Sequence, residues 1–286
     1  MIHTSLISVA DLISEFSDPR WVFIDCRFSL EDPEGGRKKY LDSHIPGAVY
    51  AHLDEDLCSP VIPGITGRHP LPSAEKLAEK LGNWGINSSS KIVTYDDAGG
   101  ALAASRLWWL FGWMGHYAVS VLDGGWQAWL KSGEPTRSGQ ESRSSSSFLP
   151  RLKRSRLIET AELVTRLEDP VLLIVDTRAA ERYRGEIEPI DPVAGHIPGA
   201  ISAPHLDVLD AEGFFLPADQ LRSHFTQLMG STTSKNTVFY CGSGVTAVQN
   251  ILGVAHAGLG NARLYVGSWS EWITDPRRPI TTGNIE

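Results

Sequence analysis

Short apolar runs alternate with amphipathic stretches along the chain. The runs Lys91–Tyr95, 120–122, 171–175 and Thr237–Tyr240 are dense in β-branched and aromatic residues. None alternates cleanly between apolar and polar, so each predicts a strand buried on both faces, as in a parallel sheet covered by helices. Residues 73–81, 101–114 and 160–167 instead place their apolar positions at helical spacing. Ser73 stands where a helix cap belongs, with Glu75 in the first turn, and Thr160 holds that place for the third helix. Strands and helices in alternation give an α/β class.

The pattern also repeats. Asp25-Cys26-Arg27 and Asp176-Thr177-Arg178 each follow an apolar run, and His44-Ile45-Pro46-Gly47-Ala48 returns as His196-Ile197-Pro198-Gly199-Ala200. Ile92–Asp96 returns as Thr237–Cys241, and Leu122–Trp126 as Tyr265–Trp269. The order is kept and the offsets stay within about 143 to 152 residues. This is a tandem duplication, with similar domains at 1–140 and 157–286 and a linker at 141–156. The boundary region 133–156 contains Ser144-Ser145-Ser146-Ser147 and no apolar period, which suits a flexible or surface-draped connection. Its basic cluster of Arg151, Lys153, Arg154 and Arg156 reads as part of a solvated linker.

Composition narrows the function classes. The 286 residues are 42% hydrophobic and 21% charged, enough for sizeable cores and far from a disordered composition. The net charge of −8 argues against a general nucleic-acid binder. The first residues lack the basic and apolar regions of a signal peptide, and no apolar run is long enough to span a membrane. The three cysteines, Cys26, Cys58 and Cys241, are widely separated and form no CxxC pair, so neither zinc nor a disulfide framework is expected. A reduced cytoplasmic setting follows.

The strongest chemical signal is at Cys241. The run Val238-Phe239-Tyr240 leads into Cys241-Gly242-Ser243-Gly244-Val245-Thr246-Ala247, followed by a helical run from about Val248. In an open α/β sheet, ligands bind beyond the carboxyl ends of the strands. Gly242 and Gly244 let the loop curl so that successive amides point inward. Such a nest, with a helix N-terminus behind it, favours a thiolate.

These residues resemble the tandem-domain rhodanese-family sulfurtransferases, over about Val9 to Pro279. The resemblance rests on the Cys241–Thr246 loop, the two His-Ile-Pro-Gly-Ala segments and the run Gly267-Ser268-Trp269-Ser270-Glu271-Trp272. The loop is similar to that of the 3-mercaptopyruvate branch, whereas animal thiosulfate enzymes carry Arg-Lys where this chain has Gly242-Ser243. The family's first domain has lost its cysteine, and here Asp96 stands opposite Cys241. The resemblance implies two rhodanese-like domains, each a mainly parallel sheet flanked by helices, with the catalytic site in the second. It implies attack by Cys241 on thiosulfate or mercaptopyruvate, a Cys241 persulfide, and transfer to cyanide, a thiol or thioredoxin. No metal or organic cofactor is required, since sulfur is itself the transferred group.

The same resemblance assigns the donor's anion to Arg182, in Glu181-Arg182-Tyr183-Arg184-Gly185, with Arg184 a second candidate. The mercaptopyruvate branch often has another arginine nine residues on, where this chain has Asp191, so the loop and that position point to different donors. Gly242, Ser243, Gly244, Val245 and Thr246 would line the donor site, with Ser243 able to donate to a leaving enolate. His44 is a candidate partner for Ser243, although its twin His196 suggests a repeated structural task. Arg106 could add positive potential. The tryptophans at 108, 109, 113, 126, 129, 269 and 272 read as packing, and Cys26 and Cys58 as structural. A cysteine phosphatase would need an arginine at position 247, which is alanine. The remaining alternative is a persulfide carrier or a non-catalytic binding module.

Overall fold

The computed structural model describes residues 5–284. The chain divides into two compact units, one of 1–59, 71–153 and 211–215, the other of 60–70, 154–210 and 216–286. Each unit therefore takes in a short segment from the other half of the sequence.

The first unit holds strands β1 (Leu6–Ile7), β2 (Trp21–Asp25), β3 (Val49–Tyr50), β4 (Lys91–Tyr95) and β5 (Val119–Leu122), in spatial order β1-β5-β4-β2-β3, every pair parallel. Its helices are α1 (Val9–Ser14), α2 (Gly35–Asp42), α3 (Leu53–Asp56), α4 (Ala74–Asn83), α5 (Ala103–Trp113) and α6 (Gly125–Lys131). The second unit repeats the sheet with β6 (Leu157–Ile158), β7 (Leu173–Asp176), β8 (Ile201–Ser202), β9 (Thr237–Tyr240) and β10 (Arg263–Tyr265), in order β6-β10-β9-β7-β8, again parallel throughout. Its helices are α7 (Thr160–Thr165), α8 (Ala180–Arg184), α9 (Ala218–Met229), α10 (Ala247–His256) and α11 (Ser268–Trp272). The central strands are buried on both faces, which explains their unbroken apolar runs.

The repeated motifs do repeated work in holding each sheet end. Asp25 grips Arg27 through two oxygens, and Arg27 reaches the Ser43 carbonyl at 2.6 Å and stacks on Trp126. Asp176 grips Arg178, which reaches the Gly195 carbonyl at 2.6 Å and stacks on Trp269. The Tyr95 hydroxyl accepts from the Ile45 amide, and that of Tyr240 from the Ile197 amide. Removing one partner of such a buried pair would strand a charge, costing about 3–5 kcal/mol.

Several local expectations shift. β7 starts at Leu173 rather than 171, because Asp169 and Leu172 close a turn and Val171 is 53% exposed. Ser73 caps α4 by accepting the Lys76 amide, but Thr160 is the first residue of α7 rather than its cap. Its hydroxyl is taken by Tyr265 and Glu271. The connecting segment is no free linker: Ser146, Arg151 and Lys153 donate backbone amides to Gly82, Met114 and Trp113, and Phe148 is buried. Arg156 leaves the solvated cluster altogether, buried with Nη1 on the Asn261 amide oxygen.

Candidate active site

Cys241 follows the last residue of β9 and precedes α10, at the carboxyl edge of the second sheet. It is buried, and the Gly244 amide donates to its sulfur at 3.2 Å. Burial alone would push this thiol up. The Thr246 hydroxyl and the amides of Ser243, Ala247 and Gly244 outweigh it, so the pKa falls below the ordinary thiol value. Thr246 stands at the N-terminus of α10 but caps no helix amide, since its hydroxyl serves the sulfur instead. Gly244 has φ +77°, the left-handed turn that closes the nest. Gly242 does not adopt such an angle. It is needed for close approach: a Cβ there would lie 2.9 Å from Arg68 Nη2, 3.7 Å from Arg182 Nη2 and 3.8 Å from Asp191 Oδ2. Val245, within the loop, is buried.

The loop is also held from behind. Trp269 and Ser270, in α11, donate backbone amides to the carbonyls of Cys241 and Gly242, each at 2.9 Å. Ser268 has φ +52°, an angle non-glycine residues rarely adopt, and its hydroxyl accepts the Cys241 amide at 3.2 Å while donating to the Tyr265 carbonyl.

Two further site groups come from a segment that sequence reasoning passed over. Arg68 is anchored by its own amide on Ser270 Oγ at 3.0 Å. Gly67 lets this strap lie close, because a Cβ there would meet Ser270 Oγ at 2.6 Å and the Gly267 carbonyl at 2.7 Å. Next along, buried His69 pairs through Nδ1 with Ser243 Oγ at 2.7 Å. Ser243 thus has a histidine partner, but it is His69 and not His44. A lone Gly-Arg-His triplet far from Cys241 in sequence carried no signal of this meeting.

Arg182 lies beside the cysteine loop, its Nη2 3.7 Å from where a Gly242 Cβ would stand. Glu188 receives it at 2.6 Å and Asp191 at 3.3 Å. Asp191 also binds Arg68, and Glu188 also accepts from Arg178 at 3.2 Å. The charges alternate without a break: Asp176, Arg178, Glu188, Arg182, Asp191, Arg68. Burial pushes the Asp191 carboxyl up against the pull of Arg68 and Arg182. Burial also opposes ionisation of Glu188, but Arg182 and the amides of Asp191 and Ile190 hold its carboxyl below the usual range. Arg184 points elsewhere, paired with exposed Glu186.

The remaining candidates are accounted for structurally. His44 and His196 each place Nδ1 2.7 Å from a carbonyl, that of Tyr40 or Tyr183, and stack on the same tyrosine. Arg106 is buried and donates to the Leu57 carbonyl and Cys58 Sγ. Burial raises the thiol pKa of both Cys26 and Cys58, the opposite of Cys241. Trp108, Trp109, Trp113, Trp126, Trp129, Trp269 and Trp272 are all buried in packing.

A family model described as Rhodanese-like domain matches residues 8–132 and 159–275. The chain belongs to the rhodanese family. This rhodanese-family chain is 47% identical over 285 residues to a Pseudomonas aeruginosa protein named "Probable 3-mercaptopyruvate sulfurtransferase", covering 99% of this chain and 100% of that one. It is 37% identical to the Homo sapiens 3-mercaptopyruvate sulfurtransferase over 246 residues, 84% of this chain and 80% of that one. Among solved structures, SseA from Escherichia coli superposes with a TM-score of 0.80 at 28% identity, covering 94% of this chain and 100% of the other. The two parallel α/β domains are those of a tandem rhodanese fold.

Proposed function

We propose that this chain is a sulfurtransferase that carries sulfur on Cys241, with 157–286 as its catalytic domain and 1–140 as an inactive copy. The observation that carries the reading is one buried thiol with a lowered pKa, facing a nest of hydrogen-bond donors, beside a glycine that brings two guanidiniums close. Cys241 thiolate attacks the outer sulfur of thiosulfate or the thiol sulfur of 3-mercaptopyruvate, the donors named for the family's relatives. A new S–S bond forms at Cys241 as the donor's bond to that sulfur breaks, and its electron pair leaves with sulfite or the pyruvate enolate. The loop amides hold the persulfide anion as they held the thiolate. Ser243, oriented by His69, supplies a proton toward a leaving enolate. Arg182 binds the donor's anionic end. Cyanide, a thiol or a thioredoxin-like protein then attacks the outer sulfur, and Cys241 leaves again as thiolate. All three cysteines are free, which suits a reducing cytoplasm.

The test is intact mass after donor treatment, followed by turnover with cyanide or dithiothreitol. One added sulfur on Cys241 is expected, with none in Cys241→Ser. Sulfur appearing on Cys26 or Cys58 instead, or turnover surviving in Cys241→Ser, would sink the assignment. Loading without turnover would leave a passive carrier.

A further inference from the structure

We infer that Arg68 is a second donor-binding cation of the Cys241 site, held in place by Asp191 as its positioning residue. The inference rests on the sulfur-transfer reading above and says which residues select the donor.

Four observations carry it. A Cβ built on Gly242, the neighbour of Cys241, would lie closer to Arg68 Nη2 than to any other side-chain atom, and Arg182 Nη2 is the next guanidinium nitrogen. The two guanidiniums therefore approach one point beside Gly242. Second, Arg68 keeps a 28% exposed side chain, while the carboxylate holding it is only 4% exposed. The cation can meet a ligand; the counter-ion is tucked behind it. Third, Arg68 Nε is buried and has no hydrogen-bond partner. A buried N–H left unmade is costly, so Asp191 alone does not satisfy this guanidinium. Fourth, the strap cannot drift. The Arg68 amide is fixed on Ser270, Gly67 is packed against Gly267 and Ser270, and His69 is fixed on Ser243. One short strap thus delivers a cation to Gly242 and an imidazole to Ser243, on either side of the same loop turn.

Asp191 explains how Arg68 reaches that point. Its two oxygens bind different guanidiniums, Oδ1 taking Arg68 and Oδ2 taking Arg182. It spaces two positive groups that would otherwise repel, and takes one terminal nitrogen from each, Nη1 of Arg68 and Nη2 of Arg182. A carboxylate at 191 thus does not remove a cation from the site. It imports one from a distant part of the sequence. The substrate class is a small sulfur donor with a carboxylate, sulfonate or thiosulfonate end.

The experiment separates the two half-reactions on the full-length protein. Persulfide formation on Cys241 is followed in single turnover with thiosulfate and with 3-mercaptopyruvate, and the loaded enzyme is then discharged with cyanide. Arg68→Ala should lower donor kcat/KM at least tenfold, mainly through KM, and leave discharge within about twofold. Arg68→Lys keeps the charge and the strap but loses the planar fork, so donor KM should rise by a smaller factor; this variant decides the matter if Arg68→Ala does not fold. The exchange Arg68→Asp with Asp191→Arg returns a cation to the same ion pair and should recover most of what either single change loses. Donor kinetics unchanged in both Arg68→Ala and Arg68→Lys overturn the inference. So does equal slowing of both half-reactions with no recovery in the exchanged pair, which marks a structural ion pair. If the unaltered enzyme takes no sulfur onto Cys241 from either donor, the sulfur-transfer reading itself falls, and the wild-type control shows it.

Discussion

Asp96 and Cys241 stand at the same point in two copies of one loop, and the copies differ in what fills the nest. In the first unit the filler is built in. Asp96 accepts the amides of Ala98 and Gly100 on one oxygen and of Leu102 and Ala104 on the other. In the second unit the amides and the Thr246 hydroxyl bear on a sulfur. The backbone behind the two is alike: Trp126 donates to the Asp96 carbonyl at 2.8 Å, and Trp269 to that of Cys241 at 2.9 Å. The lesson is that an anion nest is structural when its anion is covalently fixed. It becomes reactive when the occupant is a polarisable nucleophile that can exchange partners. The charged surroundings differ too. Asp25 and Arg27 stop as a pair, whereas Asp176 and Arg178 begin a chain of charges that runs to Arg68.

The largest effect should come from making the second nest like the first. Cys241→Asp places a fixed carboxylate where the thiol was and should abolish transfer completely, with thermal unfolding close to that of the parent. Residual turnover above background would show that the nest is not where sulfur is carried.

Emptying the first nest should cost stability rather than chemistry. Asp96→Ala leaves several buried amides without an acceptor, each worth about 1–3 kcal/mol, so a loss of about 3 kcal/mol or more is expected in denaturant unfolding. A loss below about 1 kcal/mol would mean that the loop rearranges freely and that the carboxylate is no fixed filler.

Thr246→Val sharpens the comparison by removing one donor from the sulfur. A hydrogen bond to a charged group is worth about 1.5–3 kcal/mol, so persulfide formation near neutral pH should slow at least about tenfold. The sign in pH follows from the lowered thiol pKa. The thiolate is fully present above the ordinary thiol value and persists until pH falls through the lowered one. Alkylation rate against pH should therefore show an acid limb below the ordinary range, shifted upward in Thr246→Val. Coincident profiles for the two proteins would remove the hydroxyl from the account.

The smallest effect concerns the backbone behind the nests. Ser268 has φ +52° and its counterpart Gly125 has φ +55°. Ser268→Gly relieves strain but loses the bond to the Cys241 amide, and should change stability by less than about 1 kcal/mol. Ser268→Ala keeps the strain and loses the bond, so it should be the less stable of the two. The reverse order in melting temperature would show that the angle is not strained.

Much of this was legible in the sequence because it depends on local periodicity. The bounds of β4 and β9 match the apolar runs that suggest them, and Ser73 caps as its position implies. The duplication also warned that His44 had a twin and hence a structural task. Thr160 misled because a hydroxyl at a helix start can cap or can bond to a distant partner, and only packing beside Tyr265 and Glu271 decides which. Gly242 misled in a similar way, since glycine spares either a backbone angle or a neighbour, and spacing cannot distinguish them.

The sequence by itself determined the α/β class, the two copies and the strand-end cysteine that opens a glycine-rich loop. Those features are written within one element or in the match between two. Only the tertiary structure decided that Arg68 and His69 belong beside Cys241, that Ser268 holds its amide, and that Asp191 binds a cation rather than taking one away. The contacts of Arg68 and His69 join residues more than a hundred positions apart, set by how a strap packs on α11 and the cysteine loop, and that of Ser268 crosses from one strand end to the next. No period or motif encodes such a contact.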